Sequence, residues 1–196
     1  MNMVNNTDSD AALFPHHLRK QLEARMEQLA REDICLAFSG GVDSSLLLKA
    51  AADAAAHTGS RVYAVTFDSR LHPSCDLEIA RRVAGELGGI HEVITVDELE
   101  QEAIKNNPVN RCYLCKRHLF LKLTELAEAR GIRHILDGTN EDDMHVYRPG
   151  IRALKELGIL SPLAELHITK AQVKAMASEY GISVASRPST PCMATR

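Results

Sequence analysis

The sequence predicts an α/β fold in which a parallel, twisted sheet of about five strands carries helices on both faces. Three observations predict it. Strand and helix patterns alternate four times with short links, and that alternation calls for parallel strands joined by right-handed crossovers. The first strand run, Ile34 to Phe38, is continuously apolar, as a strand covered on both faces must be. The first run ends at a glycine pair that opens directly into a helix.

From Leu18, the residues Leu22, Met26 and Leu29 recur at helical spacing among charged neighbours, so an amphipathic helix opens the domain. Ile34 to Phe38 is the first apolar run, and the Leu- and Ala-rich stretch Ser44 to Ala56 reads as the helix that follows. Val62 to Phe67 is β-branched and apolar, a second strand. Asp76 to Leu87 carries Ala80, Val83, Ala84 and Leu87 on one face and stops at Gly88-Gly89, after which Glu92 to Val96 gives a third strand. A polar link with Asn106, Asn107 and Pro108 precedes a helix from about Arg111 to Ala129, the strand His134 to Leu136, and Asp137-Gly138-Thr139-Asn140. Helices are expected near Pro149 to Leu157 and Lys170 to Tyr180, with Ile182 to Ala185 as a last strand.

At 196 residues with 45% hydrophobic composition, the chain suits a single domain with its own core. Residues 1–13 are expected to form a flexible tail and residues 14–196 the domain. The formal net charge of −3 and the 4% aromatic content supply neither the basic field nor the stacking rings that nucleic acid calls for. No apolar run approaches the roughly 20 residues that span a bilayer, and the polar start lacks the features of an export signal. A cytoplasmic location is expected. Five cysteines in such a compartment are read as chemistry or packing rather than as disulfides. Cys35 belongs to the core of the first strand, and Cys75 to a helix start.

The segment Ser39-Gly40-Gly41-Val42-Asp43-Ser44-Ser45 lies between the first strand and its helix. Two glycines there let the backbone approach a phosphate, and the free helix-start amides with the serine hydroxyls point at its oxygens. Asp43 is placed to hold Mg2+ on a pyrophosphate. No Gly-Lys-Ser/Thr follows, so this is not a Walker loop. It resembles the PP-loop of enzymes that cleave ATP between the α and β phosphates. That resemblance implies that Phe67, Gly138 and Thr139 border the nucleotide.

Cys112 and Cys115 stand three residues apart at a helix start beside Arg111, Lys116 and Arg117, a setting that favours thiolates on one helix face. A Cys-x-x-Cys pair serves zinc, iron–sulfur and redox sites alike. A zinc site would need a further ligand, for which His118 is a candidate. Cys192 lies in a proline-bounded segment near Arg196 and would complete three thiolates for a 4Fe-4S cluster with one open iron.

The PP-loop, Asn107-Pro108-x-x-Arg111-Cys112-Tyr113-x-Cys115-Lys116, Asp137-Gly138-Thr139-Asn140-x-Asp142-Asp143, Tyr147-Arg148-Pro149-Gly150 and Pro191-Cys192-x-x-Thr195-Arg196 together resemble the LarE family, which inserts sulfur into the precursor of the nickel-pincer nucleotide cofactor. The likeness runs from about Leu18 to Arg196. It implies an adenine nucleotide α-hydrolase-like fold, ATP and Mg2+ as cofactors, and adenylation of a nucleotide-like carboxylate substrate followed by sulfur transfer. It further implies Asp43 and Cys192 in catalysis, Arg148 and Arg196 at substrate anions, and a homo-oligomer. Cys192 matches the key position whether the sulfur comes from a sacrificial cysteine or from a cluster; the pair Cys112 and Cys115 favours the cluster. Family members continue into a smaller C-terminal domain that is expected to be absent here. A PP-loop tRNA thiolase and a non-catalytic nucleotide-binding module are the rival readings, separated by tRNA retention and by ATP cleavage.

Overall fold

The computed structural model describes residues 7–71, 74–188 and 192, with side chains from residue 16 onward except those of 74, 75, 99 and 102. The elements in chain order are α1 (Thr7–Leu29), β1 (Ile34–Ala37), α2 (Val42–Thr58), β2 (Val62–Ser69), α3 (Ser74–Glu86), β3 (Ile90–Val96), α4 (Glu102–Lys105), α5 (Arg111–Ala129), β4 (His134–Leu136), α6 (Glu141–Met144), α7 (Pro149–Glu156), α8 (Pro162–Glu165) and α9 (Lys170–Glu179), with a 3-10 turn over Glu98–Glu100. Helix α1 begins inside the segment expected as a tail.

Four strands form one parallel sheet in the order β3-β2-β1-β4. Strand alternation divides their side chains between two hydrophobic layers. Ile34, Leu36, Val62 and Ala64 pack with α1, α2, α3 and α9 on one face, and Cys35, Tyr63 and Val65 pack with α5 and Leu154 of α7 on the other. The expectation of helices on both faces holds.

The last strand does not form where it was expected. Ile182 and Val184 are buried and Ser183 is exposed, which imitates a strand's alternation. The amides of Gly181 and Ile182 instead close a helix end: Gly181 N–H donates to Ser178 O at 3.0 Å and Ile182 N–H to Ala177 O at 2.9 Å. Gly181 takes φ +66°, the left-handed conformation that this cap requires. The sheet's edge beyond β4 is touched by Leu160, which makes a single parallel bridge with Leu136. Among the described residues no helix is long and apolar enough to cross a membrane.

Candidate functional site

The carboxyl ends of β1, β2 and β4 open into a cavity of about 780 Å³, where a parallel sheet offers its loops to ligands. The turn after β1 forms its floor. Gly40 has φ +68°, and a Cβ there would lie 2.8 Å from the Ala80 Cα, so the turn seats against α3 only with glycine. Gly41 is the N-cap of α2 and no side chain caps it, which leaves first-turn amides of a 17-residue helix directed outward. Ser39 Oγ and Ser44 Oγ stand 3.3 Å apart, and Gly138 packs against Ser44 N and Asp43.

Of the seven loop residues, Ser39, Gly41, Val42, Asp43 and Ser44 line the cavity. Gly40 and Ser45 do not. Gly40 is turned onto Ala80, and Ser45 is fully buried, with a hydroxyl that has no partner among the described residues. Phe67, Gly138 and Thr139, expected to border the nucleotide, line this cavity. The Phe67 ring lies 6.0 Å from that of Phe120, and the Thr139 hydroxyl is committed to Asp137 Oδ2 at 2.7 Å.

Asp43 is held by two groups that sequence reasoning missed. Asn140 Nδ2 donates to Asp43 Oδ1 at 3.1 Å, and the Lys170 ammonium pairs with Asp43 Oδ2. Lys170 thus pairs with the carboxylate that was expected to hold Mg2+. An acidic oxygen donor on this turn fits that ion chemically. A Thr169-x-x-Gln172 capping box starts α9, a pattern that locates the helix but does not tell that its first residue reaches Asp43.

Cys112, Cys115 and Cys192 line the same cavity, with Cys112 exposed and the other two half-buried. Their donor chemistry suits an iron–sulfur cluster. Among the described residues, however, no three His, Cys, Asp or Glu side chains are grouped closely enough to hold a metal ion. The expected preference for thiolate fails at Cys115. Burial pushes its thiol up to about 12, the Glu98 carboxylate and the Cys192 sulfur push the same way, and Arg111 opposes them only in part. Glu98 is fully buried beneath this wall. Ser69 Oγ donates to its Oε1 at 2.8 Å, Cys115 Sγ lies 3.9 Å from the same oxygen, and Oε2 has no partner among the described residues. His118 is not on the wall.

Arg148 lines the cavity but is paired with Asp143 at 3.0 Å, and Arg196 lies outside the described residues. Lys116 stands 3.8 Å from Asp137 and 4.7 Å from the Phe120 ring centroid.

A family model described as asparagine synthase matches residues 14–142. The chain is 38% identical over 180 residues to an uncharacterized protein of Synechocystis, covering 89% of this chain and 66% of that protein. It is 36% identical over 162 residues to pyridinium-3,5-bisthiocarboxylic acid mononucleotide synthase of Lactiplantibacillus plantarum, covering 83% and 57% respectively. The likeness to LarE read from the motifs is thereby matched across most of the chain, while the chain spans less than two thirds of the length of these relatives. Among solved structures, the U34-tRNA thiolase NcsA from Methanococcus maripaludis, with its [4Fe-4S] cluster, superposes with a TM-score of 0.63 at 16% identity, covering 92% of this chain and 70% of that one. At that identity the likeness establishes the fold.

Proposed function

This chain belongs to the asparagine synthase family of PP-loop proteins, and from that membership and its relatedness to the pyridinium-3,5-bisthiocarboxylic acid mononucleotide synthase we propose that it adenylates a substrate carboxylate and exchanges the AMP for sulfur. The substrate class is a pyridinium dicarboxylate mononucleotide. One carboxylate oxygen attacks the α phosphorus of ATP, the bond to the bridging oxygen breaks, and pyrophosphate leaves. Sulfide then adds to the acyl carbon and AMP departs, giving a thiocarboxylate. A carboxylate is a poor electrophile, so the first step exists to give it a leaving group.

One observation supports this reading above the others: the phosphate-binding turn and three cysteines border a single cavity. The α2 amides, Ser39 and Ser44 are suited to the departing pyrophosphate, and Lys170 adds a cation to the same floor. Asp43 would hold Mg2+, which offsets charge on the phosphates when bound. Cys112, Cys115 and Cys192 would hold a 4Fe-4S cluster, which supplies an open iron for the sulfide that is transferred.

Two measurements test the reading. The full chain should catalyse acid-dependent exchange of label between pyrophosphate and ATP. After anaerobic reconstitution it should carry iron and sulfide, and Cys112→Ala should lose them. Nucleotide binding with neither exchange nor a chromophore would leave a binding module instead, and tRNA retention at low salt would redirect the sulfur to RNA.

A further inference from the structure

Arg111 is 7% exposed, yet among the described residues no ion pair joins its guanidinium to a carboxylate. Among the described residues its one hydrogen-bond partner is the Cys112 sulfur at 3.5 Å, and the fully buried Glu98 makes no ion pair with it. A buried cation with unspent donors is costly unless something of opposite charge arrives. Arg111 lines the cavity and is the first residue of α5, whose N-cap Asn110 makes no side-chain cap, so the positive end of a 19-residue helix adds to the same spot.

We propose that Arg111 is the docking residue for a carboxylate of the substrate, with the acid's ring lying along α5. A single buried guanidinium balances one monoanion, and its planar fork matches the two oxygens of a carboxylate. Ser39, Ser44 and Lys170, the groups suited to phosphate, stand on the turn after β1 and at the starts of α2 and α9, helices that pack on the other face of the sheet from α5. Helical spacing completes the argument. Residues 111, 115 and 119 are successive turns of one face, so the wall reads cation, sulfur, apolar surface. Leu119 and Phe120 both border the cavity and offer that apolar surface to a flat ring. A carboxylate anchored at Arg111 holds the ring beside the Cys115 sulfur.

This inference rests on the acid-activating reading above, and its test is separate from that reading's. The full chain, saturated with Mg2+ and α,β-methylene ATP, is titrated with pyridine-3,5-dicarboxylate as the probe, followed by calorimetry. The parent is expected to bind the probe, and benzoate to displace it. Arg111→Met is expected to weaken the probe roughly tenfold or more, the worth of a charged bidentate contact, with nucleotide affinity within about twofold of the parent. Arg111→Lys is expected to recover part of the loss. The ligand-free Arg111→Met chain is expected to melt higher than the parent, because an unpaired buried charge has been removed. A merely structural arginine would give the opposite shift. Unchanged probe affinity in Arg111→Met, equal binding of 3,5-dimethylpyridine, displacement by phosphate or sulfide but not benzoate, no probe binding by the parent, or a lowered melting temperature would each overturn the assignment. Failure of acid-dependent exchange with this titration intact would instead count against the reaction.

Discussion

Asp43 and Lys170 are 127 residues apart in sequence and share one ion pair at the floor of the cavity. Removing the lysine leaves the floor a net anion, the wrong sign for a triphosphate. Lys170→Met is expected to weaken ATP roughly tenfold or more, the loss of one charge-assisted contact plus exposure of the carboxylate, as read by calorimetry. An unchanged affinity would remove Lys170 from the site. At Gly40 the issue is strain. Alanine would have to hold φ +68° with its Cβ against the Ala80 backbone, so Gly40→Ala is expected to cost about 1–3 kcal/mol of stability in a denaturant titration and to lift the turn off α3. A variant as stable as the parent would show that the turn is not seated there. These residues differ in how legible they were. The Ser39 to Ser44 turn announces itself because its chemistry is contiguous, whereas Lys170, Asn140, Arg111 and Glu98 matter through packing between elements, which spacing along a chain does not encode.

The segment after α9 leads to Cys192, the third thiol on the cavity wall. Its turn is tied to the first turn of α3 by Arg187 Nη2 and Asp76 Oδ1 at 2.5 Å, both residues largely shielded and both on the cavity wall, and Cys192 follows five residues later. Asp76→Asn is expected to release that tether and lower the yield of Cys115–Cys192 cross-linking by a short bis-maleimide severalfold, without changing nucleotide affinity. The double change Asp76→Arg with Arg187→Asp should restore the yield. A cross-link yield indifferent to Asp76 would mean that other contacts position the segment. The same region shows where element reading fails. Ile182 and Val184 alternate with polar neighbours as a strand would, but Gly181 ends α9 in a left-handed cap that buries Ile182 against the helix it has just left. The glycine was the better signal, because a cap is local while a strand needs a partner. Strands β1, β2 and β4 were legible for the complementary reason: each sends apolar side chains into both covered layers, whereas β3 at the sheet's edge leaves Ile90 and Val93 exposed.

At the scale of the whole chain, a proton that the folded state holds unusually tightly can be picked out in each of the two hydrophobic layers on either side of the sheet, apart from the Cys115 thiol at the cavity wall. Cys35, packed between the sheet and α5, has its thiol pushed up to about 12 by burial, with the Glu92 carboxylate adding to the effect. Tyr180, against the opposite layer, is pushed up to about 12 by burial and by the hydrogen bond it donates to Glu23 at 2.7 Å. In the unfolded chain these groups give up their protons near ordinary values of 9.0 and 10.0. Above those values the unfolded state binds fewer protons than the folded one, so stability falls as pH rises. The stabilisation is fully present below pH 9 and is lost as pH climbs through about 12. Cys35→Ala should therefore flatten the decline between these limits by up to about 1.4 kcal/mol per pH unit, and Tyr180→Phe should flatten it from the other layer, whatever either change does at neutral pH. Because β1 and β2 supply side chains to both layers, the sheet should transmit either loss to the whole domain. Denaturant midpoints from tyrosine absorbance and from far-ultraviolet circular dichroism should then move together with pH in both variants. Midpoints that separate, with one layer melting ahead of the other, would show that the sheet does not bind the two into one cooperative unit.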